Sequence, residues 1–446
     1  MAEIEFVDQT IRDAQQSLWG FRMPTDMILS IAPVMDQTGY RAIGMVGGRG
    51  AVVAIRYLHE SILERFRILS QAMPRTPLRT SYMVAAAFGF DVEPIAAIEL
   101  WIRRAVANGI KSFWVCDYQN MMNRLAYLTG VAKEEGAEVV VALMFTLSSV
   151  HTDELYAKKA RMLMEMGGVD GIQVEDTAGV LTPERTRTLL HAIQRETKDI
   201  PVEFHEHCTM GLAPMSYVEA IKQGTKILHT AVSPLANGSS LPSAENTIRN
   251  ARRLGYTVQI DEEALKAVSD YFRSESEKRG MPMGKPVEYN IFHFEHQAPG
   301  GMMGTLRNQL AEIGQAQRMD EVLEEVAQVR VEFGYPVMAT PYSQFVVAQA
   351  LFNITSGQRY GIISDEVAKY ALGYYGKPDG PWDQNIKDKI LSSPKAKRFQ
   401  NKKAPEITVD DLRKLEPGLS DDELLIRIAN PEGEFKEKLN ALYGRE

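Results

Sequence analysis

The stretch "EFHEHCTMG" sets His205 and His207 two residues apart. In an extended strand that spacing turns both imidazoles to one face, where a single divalent cation can take a nitrogen lone pair from each. Two neutral imidazoles leave such a cation undercompensated, so carboxylates are expected beside them. Asp13 in "DQTIRDAQQS" and Glu175 in "GIQVEDTAG" both follow short apolar runs. With Asp13 as third ligand and Glu175 as fourth, the set mixes nitrogen and oxygen in a way that suits zinc or manganese. A competing reading makes Glu175 and its neighbour Asp176 caps of the helix that starts near Pro183.

These residues lie far apart along the chain, so a fold must gather them. From the N-terminus, short β-branched runs alternate with longer amphipathic stretches. "IEFVDQT", "AIGMVGG", "TSYMVAA", "SFWVCD", "EVVVALMF", "GIQVED", "PVEFHEH" and "KILHTAV" read as strands, while "TDMILSIAPVMDQTG" and "PERTRTLLHAIQRET" are typical of the helical stretches between them. This succession of strand-and-helix units matches a closed parallel (β/α)8 TIM barrel over residues 1–300. In such a barrel the loops that follow the strands open on one face, and the chemistry collects there. The rule puts Asp8, Arg12, Asp13, Asp117, Asn120, Glu175, Asp176, His205, His207, Ser239 and Ser240 on a single rim. Residues 301–446 read as a mostly helical second domain with a charged tail from about 385.

Bulk properties remove other classes. A formal net charge of -8 lacks the basic excess that phosphate neutralisation needs, so nucleic acid is not an expected partner. Cys116 and Cys208 are too few for a disulfide framework and fit a reducing compartment. No apolar segment reaches ~18 residues and the N-terminus carries no signal-like pattern, which points to a cytoplasmic enzyme without a membrane span.

"DQTIRDAQQS", "GMVGG", "RTPLR", "GVDGIQVEDTAGVLTP", "HEHCTMG", "SPLANGSSLP" and "APGGMMGTLRNQL" together resemble the carboxyltransferase domain shared by pyruvate carboxylase, the oxaloacetate decarboxylase α subunit and the transcarboxylase large subunit. "GYPVMATPYSQFVVAQALFNITSGQRY" and "ISDEVAKYALGYYGKP" look like the helical domain that follows the barrel in that family. The resemblance implies carboxyl transfer between carboxybiotin and the enolate of a carbonyl substrate. It implies Asp13, His205 and His207 as metal ligands, Arg12 and Gln16 as holders of substrate or biotin oxygens, and Ser239 as the hydroxyl that moves a proton between biotin and substrate. No "AMKM"-like biotin attachment site and no ATP-grasp segment occur, so the biotin carboxyl carrier and biotin carboxylase are expected on separate chains, in an oligomeric assembly.

Three positions depart from the family pattern. Glu175 stands where relatives have a carbamylated lysine, Met83 where they have an arginine that grips a keto acid's carboxylate, and Trp114 where they have a second arginine. Loss of a bidentate clamp costs on the order of 2–5 kcal/mol of binding, so the expected acceptor is a carbonyl compound other than pyruvate, larger or less charged. Alternatively Arg49 in "GGRGA" has taken over the clamp. "IRDAQQS" with "HEH" also resembles biotin-independent metal-dependent lyases and aldolases such as the hydroxymethylglutaryl-CoA lyases, which form the same enolate. A scaffold without catalysis is a third reading, opposed by the retention of Arg12, Asp13, His205, His207 and Ser239.

Overall fold

A computed structural model of the chain describes residues 2–89, 91–400 and 406–443. Eight parallel strands close in sequence order: β1 (Glu5–Asp8), β2 (Ala42–Gly44), β3 (Leu78–Met83), β4 (Ser112–Cys116), β5 (Glu138–Met144), β6 (Gly171–Asp176), β7 (Val202–Glu206) and β8 (Ile227–Thr230). β1 pairs with β8 through Glu5 with Ile227, which closes the ring. β6 and β7 pair with Glu175 opposite His205, so those two side chains share a level. The TIM barrel read from the alternation is the fold of the chain.

The helices between strands are cut at the expected places. Thr152, Thr182 and Ser243 each accept a hydrogen bond from an amide in the first helical turn, at 3.3, 3.2 and 3.4 Å, ahead of helices Asp153–Met166, Pro183–Thr197 and Ala244–Arg253. Their apolar faces cover the barrel; Leu189, Leu190 and Ile193, for example, are buried. The connection after β1 is different. There the chain winds widely over Thr10–Ala14, with Ala14 N–H bonded to the Gln9 carbonyl five residues back at 3.0 Å, before the short helix Gln15–Trp19. Such wide turns recur at functional sites, and this one carries Arg12 and Asp13.

Residues beyond the barrel are helical, with a second core. Helices Gly300–Glu312, Met319–Glu332, Tyr342–Thr355 and Asp365–Ala371 bury Leu306, Val326, Tyr342 and Tyr370, and Met83, Cys116, Tyr118, Ala142 and Met144 from β3 to β5 and their ends join the same cluster. The charged tail expected from about residue 385 is replaced by structure. Gln384–Leu391 and Pro394–Phe399 are helices of the second core, and Val409–Arg413, Asp421–Ala429 and Gly433–Leu442 return to the barrel, where Leu412, Leu424, Leu425 and Leu439 join its core. One charge of this region ties it to the barrel: Asp422 pairs with Arg104 of the helix Ile95–Ala107 at 2.6 Å. Among the described residues no helix is long and apolar enough to cross a membrane.

Candidate active site

The wide turn after β1 and the end of β7 bring Asp13, His205 and His207 together at the mouth of the barrel, with one ligand atom of each within 4.8 Å of the others. Asp13 Oδ1 lies 3.0 Å from His207 Nε2, and Asp13 Oδ2 lies 3.6 Å from His205 Nε2. All three residues are buried, and neither Nε2 has an aligned hydrogen-bond partner. A buried ring nitrogen without a partner is costly. Ligands at ~2.0–2.2 Å around a tetrahedral cation stand ~3.3–3.6 Å apart, and the two imidazoles lie 3.0 and 3.6 Å from different oxygens of Asp13, so a donor set of this chemistry and proximity suits a divalent ion.

Electrostatics favour the ligand forms of Asp13 and His205, whereas His207 is held toward its protonated form and must give up that proton to bind an ion. Burial pushes the Asp13 carboxyl up, but His207 and Arg12 outweigh it and hold the group well below the usual carboxylate range. Burial holds His205 well below the ordinary imidazole value, leaving a lone pair free. His207 is raised, because facing Asp13 overcomes the effect of burial. Arg12 pairs with Asp13 and lies over the Trp114 ring at 4.3 Å, while the Ser17 hydroxyl donates to Asp13 at 3.0 Å.

The two carboxylates of "VEDTAG" part company. Glu175 faces the cavity, accepts from Gln173 Nε2 at 2.5 Å, and is pushed up to about 7 by burial. It stands outside the three-residue ligand cluster. Asp176 faces the other way and accepts from the amides of Ala178, Gly179, Val180 and Leu181 at 2.6–3.0 Å, which shapes the loop after β6. Neither caps the helix beginning at Pro183; Thr182 does.

Above the ligand cluster a cavity of about 200 Å³ is lined by Arg12, Gln16, Glu175, Ser239, Met83 and Trp114, among others. The Ser239 hydroxyl donates to the Ser17 carbonyl at 3.1 Å. Arg49 also reaches the cavity, with its guanidinium bonded to the Thr340 carbonyl at 2.9 Å. Other rim residues serve the fold. Asp8 accepts from the Thr10 hydroxyl at 2.5 Å, Asp117 from the Gln119 amide at 3.2 Å, and Asn120 bonds Asp379 at 3.1 Å. The backbone of Ser240 bonds Cys208 and Asn237.

Sequence reasoning missed several lining residues. Ser17 sits one turn after Asp13, on the same helical face, which spacing alone could have flagged. Thr340 and the Pro299 to Gly301 turn come from beyond the barrel. A Cβ on Gly300 would fall 2.5 Å from Ser239 Cβ, and one on Gly47 would fall 2.3 Å from Ser81 Oγ, so glycine is required where these loops close over the cavity.

Comparison with known proteins follows the same lines. Residues 3–271 match the HMGL-like family and residues 294–432 match the conserved carboxylase domain. The chain is 37% identical over 391 residues to a pyruvate carboxylase subunit of Methanocaldococcus jannaschii, covering 87% of this chain and 68% of that protein. It is 32% identical over 398 residues to the 2-oxoglutarate carboxylase large subunit of Hydrogenobacter thermophilus, covering 89% and 61%. Its fold matches the carboxyl transferase domain of Rhizobium etli pyruvate carboxylase, solved with pyruvate, at a TM-score of 0.86 and 23% identity, over 100% of this chain and 78% of that one. Relatives of this kind do not favour the lyase reading.

Proposed function

The chain belongs to the family of carboxyltransferase subunits of biotin-dependent carboxylases and transcarboxylases, and we propose that it moves a carboxyl group between carboxybiotin on a separate chain and a carbonyl acceptor other than pyruvate, at a divalent cation held by Asp13, His205 and His207. The observation that carries this reading is the convergence of three buried ligand atoms, two of them imidazole nitrogens with no aligned hydrogen bond, beneath a cavity lined by Arg12 and Ser239.

When bound, the cation supplies Lewis-acid polarisation of the acceptor carbonyl, and zinc or manganese suits two imidazoles and a carboxylate. Glu175 adds a carboxylate at the same level but outside the ligand cluster, where it would offset the ion's charge through water. Arg12, stacked on Trp114 and fixed by Asp13, places positive charge where the enolate oxygen develops. Ser239, held at the cavity wall by Ser17, carries a proton at Oγ between the reacting carbon and biotin, and Gln16 offers its amide to the biotin-side oxygen. Met83 and Trp114 give the acceptor pocket an apolar wall, which favours a larger or less charged substrate. Arg49 lines the same cavity, with one terminal nitrogen given to the Thr340 carbonyl, and is the alternative holder of an acceptor carboxylate.

Relatives that are each one subunit of a carboxylase support partner chains for biotin carboxylation and biotin carriage, and an oligomeric assembly is part of the same reading. Purification of the native assembly tests it. A biotinylated chain on a streptavidin blot and about one divalent ion per chain are expected. Turnover of a carbonyl substrate with no biotinylated partner present would overturn the reading in favour of a lyase.

A further inference from the structure

Beneath the ligand cluster the barrel interior is polar where such barrels are usually filled by branched apolar side chains. His205 Nδ1, the ring nitrogen turned away from Asp13, lies 3.2 Å from His229 Nδ1. The other nitrogen of His229 lies 2.7 Å from Glu203 Oε2. Arg79 grips Glu203 with both terminal nitrogens, at 2.5 and 3.2 Å, and also reaches Ser112 and Glu138, at 2.8 and 3.0 Å. Gln9 donates its amide to His229 Nδ1 at 3.0 Å. Arg79, Glu203, His229 and His205 are all at most 2% exposed.

With His229 neutral, as its burial favours, the chain of contacts has one consistent set of protons. Glu203, bound by Arg79, is an acceptor only, so His229 must present N–H at Nε2. A neutral His229 then carries its lone pair at Nδ1, where it receives the Gln9 amide. The same lone pair faces His205 Nδ1 at 3.2 Å. Two facing lone pairs would repel, so His205 carries its proton at Nδ1 and shares the acceptor with Gln9. The Nε2 lone pair of His205 is then left facing Asp13 and His207. We infer that His229 and Glu203 are positioning residues, setting the tautomer and ring angle of His205 from inside the barrel so that Nε2 is ready to ligate. This inference rests on the metal reading given above.

The test measures Mn²⁺ affinity of the full chain by chelator competition, with circular dichroism to establish folding. His229→Leu removes the acceptor and is expected to weaken affinity ~100-fold, and Glu203→Gln, which keeps the shape and loses the charge, ~10-fold. His229→Gln offers a carbonyl to the same N–H and is expected to stay within ~3-fold of the unsubstituted chain. Unchanged affinity in folded His229→Leu, or equal losses in the Leu and Gln variants, would overturn the inference. If His229→Leu does not fold, unchanged affinity in Glu203→Gln overturns it. His207→Ala separates the two levels: retained Mn²⁺ affinity there sinks the metal reading itself, whereas loss there with no effect at His229 sinks only the positioning role.

Discussion

The mouth of the barrel has two unlike halves. On one side, β7 and the turn after β1 contribute Asp13, His205 and His207, with Glu175 of β6 beside them. On the other, β3 to β5 and their ends present Met83, Cys116, Tyr118, Ala142 and Met144, which pack into the core of the following helices, Met83 and Tyr118 lining the cavity as well. Trp114 of β4 bridges the halves, lying under Arg12 and packing against the second core. The difference separates two tasks of a barrel rim: holding charge near an ion, and giving the helical region an apolar seat that closes the cavity from above. Thr340 and Gly300 line the cavity only because that seat exists.

The two halves should fail differently. Asp13→Ala attacks the charged half and is expected to lower kcat/KM about 1000-fold, with loss of bound metal by elemental analysis. Phe333→Ala attacks the helical core, where Phe333 is fully buried, and is expected to cost about 4 kcal/mol in urea unfolding while metal stoichiometry holds. Metal loss in step with that destabilisation would show that the halves are not separable. A third effect appears with pH. Burial brings the His296 pKa down from 6.5 to about 3, so the unfolded chain binds a proton before the folded one does. Its stabilisation is complete above pH 6.5 and is lost as pH falls toward 3. Unfolding curves between pH 6.5 and 4.5 should show a loss on the order of 2–3 kcal/mol from this group, reduced in His296→Gln. The smallest effect belongs to the bridge. Trp114→Ala removes the surface under Arg12 and is expected to lower kcat/KM about tenfold, at 1–2 kcal/mol, with metal content unchanged. A drop as large as that of Asp13→Ala would move Trp114 into the charged half.

Much of this was legible before any coordinates. Alternation of β-branched and amphipathic runs specified the barrel, because a parallel sheet buried on both faces needs continuous apolar strands and covering helices. The spacing of His205 and His207 specified a shared face, since strand side chains repeat every second residue. The opposite roles of Glu175 and Asp176 were not legible. All six residues of β6 are buried, so the pattern alone does not say which face looks into the barrel. The helices after residue 405 were hidden for another reason. "DDELLIRIA" is dense in charge, and only its packing on the barrel shows that Leu424, Leu425 and Ile428 form a buried stripe.

The sequence by itself determined the strands, the helices and the residue types able to bind an ion, because these follow from local periodicity and side-chain chemistry. Tertiary structure alone decided that the wide turn after β1 carries Asp13 to the imidazoles of β7, and that Arg79, Glu203 and His229 stack beneath them. The contacts of Asp13 with His205 and of Arg79 with Glu203 join residues more than a hundred positions apart, and only closure of the ring between β1 and β8 brings them within reach of one another.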